Sequence, residues 1–117
     1  MEQRALIFKL SPRSEWLAAE AAGRFAGAPV DLKDGYIHFS TAAQVRETAA
    51  KHFAGEPTLI VAAVDPEKLG AALKWEPSRG GDLFPHLYGE LSMAAVVYVA
   101  DLPLGPDGHH VFPGSVR

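Results

Sequence analysis

The sequence contains no cysteine, which excludes disulfides, thiolate zinc sites, iron–sulfur clusters and a thiol nucleophile. It also lacks an apolar run approaching the roughly 20 residues that a membrane-spanning helix needs. The longest such run, Leu59 to Val64, has the length of a strand. The first residues, Met1 to Arg4, carry mixed charge and do not lead into a signal-peptide core. We therefore expect a cytoplasmic protein with no membrane partner.

An excess of one charge is missing as well. The 14 acidic and 11 basic residues give a formal charge of -3 and are interspersed along the chain. This balance argues against a broad nucleic-acid surface. The glycine-rich phosphate-loop, dinucleotide and nucleophile-elbow patterns are all absent. His109 and His110 have no neighbouring ligand at metal-binding spacing, so no metal site is predicted.

What is present indicates one α+β domain over residues 1–117, as a monomer or weak homodimer. A hydrophobic share of 48% over 117 residues is enough for one core. Eleven glycines and nine prolines predict frequent turns. Several of them fall in residues 103–117, where we expect a loose tail.

The hydrophobic pattern places strands and two main helices along the chain. The predicted strands cover residues 5–10, 36–39, 58–64, 72–76, 84–88 and 93–102. The first main helix is predicted to begin at Ser11, which serves as its N-cap, and to end at Gly23. The second is predicted to begin at a capping box formed by Thr41 and Gln44 and to end at about His52. Residues 24–35 and 77–82 are predicted loops, with a short capped helix over 65–70. Pro85 favours an edge position for its strand.

The second predicted strand carries the first candidate site. Strand alternation puts Tyr36, His38 and Ser40 on one face, opposite apolar Ile37 and Phe39. The strand runs directly into a helix N-terminus, where backbone N–H groups can bind phosphate or carboxylate. The competing interpretation is a half-exposed strand whose serine and threonine merely cap the helix.

A second candidate site combines Glu76, after Trp75, with His86 and Tyr88. A carboxylate near an imidazole and a phenol can transfer protons or hold a ribose hydroxyl. Alternatively, Glu76 is a surface residue at a strand end and His86 packs beside a proline. Lys9 is a lone polar residue in an apolar strand. It either lines a cavity or extends along the surface from a sheet edge.

These segments resemble a family of bacterial and plant proteins catalogued as domain of unknown function 952. The resemblance covers nearly the whole chain. Its motifs are Asp34 to Thr41 with Gln44, Leu73 to Glu76, Phe84 to Gly89, and Ile7 to Lys9 with Trp16.

The resemblance implies a fold similar to that of the ADP-ribosyltransferases. That fold has a split mixed, mostly antiparallel β-sheet with two main helices and a cleft for NAD. By order along the chain, Lys9, Ser40-Thr41 and Glu76 match the three positions that usually form the cleft in that group. His38 and His86 then stand beside it. Lys9 replaces the usual arginine or histidine. Its ammonium group carries a point charge and offers neither the paired donors of a guanidinium nor an imidazole ring.

Two functions follow as hypotheses. In the first, the domain transfers or hydrolyses at a nucleotide ribose, with NAD as the candidate substrate. Glu76, His38 and His86 are its catalytic candidates, and Ser40 orients Glu76. The residues expected to contact the nucleotide are Lys9, Tyr36, Ser40, Thr41 and Tyr88.

In the second hypothesis, the same cleft binds a small anionic metabolite or a protein partner without turnover, and Tyr36, Trp75 and Tyr88 form its walls. A third option is that the polar strand face is only solvated and any function lies at an oligomer interface.

Overall fold

The computed structural model describes residues 5–116, except for the side chain of Arg79. Its strands are β1 (Ile7–Pro12), β2 (Arg24–Phe25), β3 (Ile37–His38), β4 (Leu59–Val64), β5 (Leu73–Pro77), β6 (Leu83–Leu87), β7 (Leu91–Ser92) and β8 (Val96–Asp101). Its α-helices are α1 (Arg13–Ala22), α2 (Pro29–Asp34) and α3 (Ala42–His52). Short 3-10 helices cover Pro66–Ala72, Arg79–Gly81 and Met93–Ala95. None of the helices in residues 5–116 is long and apolar enough to cross a membrane.

The first sheet has the order β1-β4-β8 and contains the core. Every residue of β4 is buried, because both faces of this central strand are covered. Ile60, Ala62 and Val64 pack on the side of Trp16, in one cluster of buried residues. The intervening residues of β4 pack with Val45 of α3 in a second cluster. The prediction of a central apolar strand is confirmed.

The second sheet has the order β3-β6-β5, and one of its faces also closes the core. Ile37, Phe39 and Leu87 are buried on that face. Just beyond β3, the backbone N–H of Ser40 donates to the Phe8 carbonyl over 2.9 Å, and Phe8 N–H donates back over 2.8 Å. This bridge ties the end of β3 to β1 and places the opposite, polar face of the second sheet next to Lys9.

The predicted α+β class and the two main helices are confirmed, with α1 and α3 in the predicted places. Gly23 ends α1 in the left-handed region at φ 81°, where glycine avoids the steric cost of a side chain. The expectation of a sheet that mixes parallel and antiparallel strands is wrong for the described residues. Each strand ladder within 5–116 is antiparallel.

Three local predictions are also wrong. Residues 24–35 contain β2 and α2 rather than a loop. Ser11 is not a helix cap, because it pairs with Ile60 inside β1. The strand containing Pro85 is central rather than an edge, and the Pro85 carbonyl accepts from Phe39 N–H over 3.0 Å. The missing N–H of Pro85 is tolerated because β3 ends at His38 and the chain turns there toward β1.

The C-terminal segment has little regular structure, yet residues 103–116 are held against the body of the protein. Val116 is buried in the cluster beneath α3, and its carbonyl accepts from Arg46 Nη2 over 3.0 Å. His110 Nε2 lies 2.7 Å from the Glu56 carbonyl. These contacts connect the C-terminal segment to α3 and to the turn that precedes β4.

Candidate functional site

The polar face of the β3-β6-β5 sheet gathers most of the candidate residues. His38 of β3 lies opposite His86 of β6, and Glu76 of β5 lies opposite Phe84. Directly opposed residues share a face, and alternate residues along a strand share it too. Register therefore brings Glu76 and His86 to the same side as Tyr36 and His38.

Glu76, His86 and Tyr88 form one hydrogen-bonded group on this face. Glu76 Oε1 lies 2.9 Å from His86 Nδ1 and accepts from Tyr88 Oη over 2.7 Å. The hydrogen bond with His86 lowers the pKa of Glu76, and the hydrogen bond from Tyr88 lowers it further. The bond between Tyr88 and Glu76 also raises the pKa of Tyr88. The carboxylate is therefore ionised and the phenol protonated at neutral pH.

Tyr36 packs its ring against the other members of this face. Its centroid lies 4.1 Å from that of His86 at an interplanar angle of 26°, a stacked arrangement. The corresponding distances to His38 and Tyr88 are 4.6 and 5.3 Å. Burial, followed by the negative charges of Asp34 and Glu76, raises the pKa of Tyr36. Tyr36 therefore acts as a neutral ring that fixes the orientation of His86.

Lys9 is buried and lies in an ion pair with Asp31. Its Nζ donates to the two Asp31 oxygens over 3.2 and 3.0 Å and to the His38 carbonyl over 3.1 Å. An ammonium has three N–H donors, and these contacts use all of them. The surface-lysine interpretation is wrong, and Lys9 has no donor left for a ligand.

Asp31 joins Lys9 to His38. Its carboxylate accepts from the backbone N–H groups of Ala28 and His38, and His38 Nδ1 lies 2.6 Å away. Burial disfavours the charged form, but the bonds from His38 and the charge of Lys9 outweigh it and lower the pKa of Asp31 to about 2. Burial lowers the pKa of Lys9, and the nearby charge of Asp31 only partly opposes this change.

His38 is held between two carboxylates. Its Nε2 lies 2.9 Å from Asp34 Oδ2, while Nδ1 faces Asp31. Each ring nitrogen of His38 therefore has a carboxylate partner in α2. These two contacts tie α2 to β3.

Asp31 is the residue of this network that sequence reasoning misses. A lysine within an apolar strand is a signal that a buried counter-charge exists, because an unpaired buried ammonium is costly. The sequence does not say which of 14 acidic residues supplies it.

A cavity of about 570 Å³ lies beside this face. Its wall includes His38, Ser40 and His86, together with the carboxyl-bearing Glu15 and Asp34. Its apolar wall includes the rings of Phe8, Phe39, Phe53 and Phe84. A cavity of this size is suited to a small organic molecule. The polar strand face is therefore part of a concave site rather than a flat solvated surface.

Ser40 and Thr41 have other partners than expected. Ser40 Oγ lies 3.0 Å from Thr48 Oγ1 in α3, so Ser40 does not orient Glu76. The Thr41 N–H donates to Gln44 Oε1 over 3.1 Å at the start of α3, as the predicted capping box requires. Trp75 lies opposite Pro85 on the other face of the sheet and is not a wall of the site.

Within residues 5–116, no group of three histidine or acidic side chains is arranged to hold a metal ion. Adjacent to the cavity, the site consists instead of two carboxylate–imidazole pairs, Asp31–His38 and Glu76–His86. Glu76, Tyr36 and Tyr88 stand outside the residues that line the cavity, and His86 connects the two regions.

These features define a small α+β protein with antiparallel sheets and a polar sheet face beside a cavity. The chain belongs to the family described as protein of unknown function, DUF952, whose model matches residues 10–99. The family predicted from the sequence motifs is thus confirmed.

Solved structures of one relative are similar to this chain in sequence and fold. The chain is similar to the crystal structure of protein CC0527 from Caulobacter crescentus, with 50% identity and a TM-score of 0.91, over 95% of this chain and 97% of that one. The solution NMR structure of CC0527 gives 54% identity and a TM-score of 0.81, over 89% and 90% of the two chains. No curated protein matches the chain.

Proposed function

We propose that the protein is an enzyme that binds a small hydroxylated molecule in the cavity and acts on it through Glu76 and His86. One observation carries this proposal: a carboxylate and an imidazole, 2.9 Å apart, meet where His86 reaches the cavity wall. A positioned carboxylate–imidazole pair is suited to proton transfer from a hydroxyl group or water.

The contacts of His86 support one direction for the proton transfer. Glu76 is ionised and accepts from His86, so Nδ1 carries the ring proton. In the neutral ring, Nε2 is then the nitrogen that accepts a proton from the bound molecule. Tyr36, stacked on the ring, and Tyr88, bonded to Glu76, keep both groups in place.

Nucleotide ribose is the ligand class that the family resemblance favours, with ADP-ribosyl transfer or hydrolysis as the reaction and NAD as the substrate. In hydrolysis, water adds its oxygen to the anomeric carbon and gives a proton to His86. The electron pair of the bond to the base leaves with nicotinamide. The ionised Glu76 carboxylate, bonded to Nδ1 of His86, stabilises the positive charge that forms on the imidazole when Nε2 takes the proton.

The contacts of Lys9 and Ser40 change the roles expected for them in this reaction. Because the donors of Lys9 point to Asp31 and His38, we assign Lys9 to holding His38 rather than binding phosphate. Because Ser40 bonds to Thr48, the orientation of Glu76 depends on His86 and Tyr88. Thr41 keeps its role at the start of α3.

The alternative is a binding module that turns nothing over. Its supporting observation is that Glu76 does not line the cavity, so a ligand seated there meets His86 without meeting the carboxylate. The ligand in this alternative is a small anionic metabolite or a protein partner.

The test is NAD consumption and ADP-ribose release by the pure protein and three variants. Glu76→Gln keeps the size of the side chain and removes its charge, and we expect the rate to fall about 100-fold or more. His86→Gln should reduce it by a similar factor through loss of the proton acceptor. Glu90→Gln is the matched control, since Glu90 is an exposed partner of Arg24 and should leave the rate unchanged.

A thermal-shift titration with NAD and ADP-ribose separates the two candidates. Binding by the wild type without turnover would favour the non-catalytic module. If neither the wild type nor Glu76→Gln consumes NAD above background and neither binds a nucleotide, the assignment to nucleotide ribose is wrong.

A further inference from the structure

The buried serine on the cavity wall has a hydroxyl group whose orientation is set by the protein. Ser40 lines the cavity and is 4% exposed, and Thr48 of α3 lines the cavity as well. The backbone N–H and carbonyl of Ser40 are both bonded to Phe8, over 2.9 and 2.8 Å. The polar atom of Ser40 that remains for a ligand is therefore Oγ.

The hydroxyl groups of Ser40 and Thr48 form a chain that ends on a backbone carbonyl. Ser40 Oγ lies 3.0 Å from Thr48 Oγ1, and Thr48 Oγ1 donates to the Gln44 carbonyl over 3.1 Å. Each hydroxyl has one proton and two lone pairs, whereas a carbonyl oxygen only accepts. A buried O–H without an acceptor is costly, so the favoured chain sends the Ser40 proton to Thr48 and the Thr48 proton to Gln44. In this chain, Ser40 Oγ offers lone pairs to a ligand and no proton.

The imidazoles of the wall agree with this polarity. The two ring nitrogens of His38 both have carboxylate partners, at 2.6 and 2.9 Å. Nδ1 of His86 is bonded to Glu76, which leaves Nε2 as the acceptor in the proposed reaction. The ammonium of Lys9 uses its donors within the protein. A ligand near these residues therefore meets acceptors, and its own N–H or O–H groups complete the hydrogen bonds.

We propose that Ser40 is a specificity-determining residue that accepts a hydrogen bond from an N–H or O–H group of the ligand. Thr48 is the positioning residue that fixes this polarity. The inference rests on the proposed use of the cavity as a ligand site and deepens it. On the proposed substrate, the carboxamide of nicotinamide and the hydroxyls of ribose are donors of this kind.

Two pairs of probes test the preference and separate amide from hydroxyl donors. Nicotinamide and 3-acetylpyridine differ by an amino group against a methyl group, and 3-pyridinemethanol and 3-ethylpyridine differ by a hydroxyl against a methyl group. Each is titrated into isotopically labelled protein, and the backbone amide shifts of Phe39 and Phe53 report binding in the cavity. The amides of Arg46 and Phe112, which line a separate cavity of about 440 Å³, report non-specific effects.

We expect the donor-bearing member of at least one pair to bind about threefold to tenfold more tightly than its methyl counterpart, the size of one neutral hydrogen bond. Ser40→Ala should remove this preference. Thr48→Val keeps the shape of the side chain and removes the acceptor of the Ser40 proton. That proton then turns to the ligand, and the preference should fall to about twofold or less. Ser78→Ala and His52→Gln, at exposed residues of the same wall, should leave the preference unchanged.

Equal binding within both pairs would overturn the inference, and so would a preference that survives Ser40→Ala and Thr48→Val unchanged. Absence of cavity shifts with every probe would overturn it as well. In each of these cases, loss of NAD turnover in Glu76→Gln would still support the proposed function. Conversely, a preference that depends on Ser40 and Thr48 in a protein without NAD turnover would support the inference and remove the catalytic assignment.

Discussion

The two carboxylate–imidazole pairs of this protein are built in opposite ways. In the acid-buried pair, Asp31–His38, the carboxylate side chain is 1% exposed and the imidazole 31% exposed. In the imidazole-buried pair, Glu76–His86, the carboxylate is 35% exposed and the imidazole 3% exposed. The two imidazoles are neighbours in the sheet, with centroids 5.6 Å apart.

The difference explains why one pair is structural and the other is a candidate for chemistry. A buried carboxylate must be neutralised and fully hydrogen-bonded, and Asp31 meets that need with Lys9 and His38. The buried His86 imidazole, by contrast, has one carboxylate contact, that with Glu76. The acid-buried pair is therefore saturated by the protein, whereas the imidazole-buried pair keeps capacity for a ligand.

The largest effect should come from removing the cation of the acid-buried pair. Lys9→Met leaves the Asp31 carboxylate buried without its counter-charge, so we expect the free energy of unfolding to fall by about 3–5 kcal/mol. Urea unfolding measures the change. Lys68→Met removes an exposed lysine and should cost far less. A Lys9→Met protein as stable as the wild type would mean that Asp31 does not need this partner.

Acid should weaken the same pair over a defined range of pH. The pKa of Asp31 is lowered from 3.8 to about 2, so its stabilising contribution is complete above about pH 4 and is lost as the pH falls toward 2. The shift corresponds to roughly 2 kcal/mol. Unfolding of the wild type and Asp31→Asn should be measured from pH 5 to 2. Their stabilities should converge in acid, and parallel curves would contradict the assignment.

The imidazole-buried pair depends on packing rather than on charge. Tyr36→Leu removes the ring stacked on His86, and we expect a loss of about 1 kcal/mol beyond the change in apolar area. Tyr36→Phe retains the ring and is the matched control. The side-chain NMR signals of His86 should broaden in the leucine variant alone. Unchanged signals would show that Glu76 by itself holds the imidazole.

The smallest effect should follow from Asp34, the more exposed carboxylate that bonds to His38. Asp34 is 37% exposed where it meets His38, so Asp34→Asn should cost only about 0.2–1 kcal/mol. Because the contact is partly screened by solvent, the difference should shrink in high salt. Thermal unfolding at two salt concentrations measures it. A loss as large as that of Lys9→Met would erase the distinction between the buried and exposed carboxylates of this network.

Local patterns predicted much of the fold because they depend on neighbours in sequence. The run from Leu59 to Val64 identifies a central strand, and Thr41 with Gln44 fixes the start of α3. Strand alternation also puts Tyr36 and His38 on one face, as their ring contact requires.

Such local patterns could not predict the contacts between residues that are distant in sequence. Asp31 lies 22 residues from Lys9, and its role depends on α2 folding back against β1. The central position of Pro85 depends on where β3 leaves the sheet, which residues 84–88 do not encode by themselves. The expectation that Ser40 orients Glu76 failed because α3 brings Thr48 to the serine.

By itself, the sequence determined the reactive atoms available to this protein. Without cysteine they are oxygen and nitrogen, and strand alternation groups them on one face. Only the tertiary structure decided which of them are committed. Burial forces Asp31, Lys9 and His38 to satisfy one another, because an unpaired charge in the interior is too costly. The same packing leaves His86 with a single carboxylate partner at the wall of a cavity.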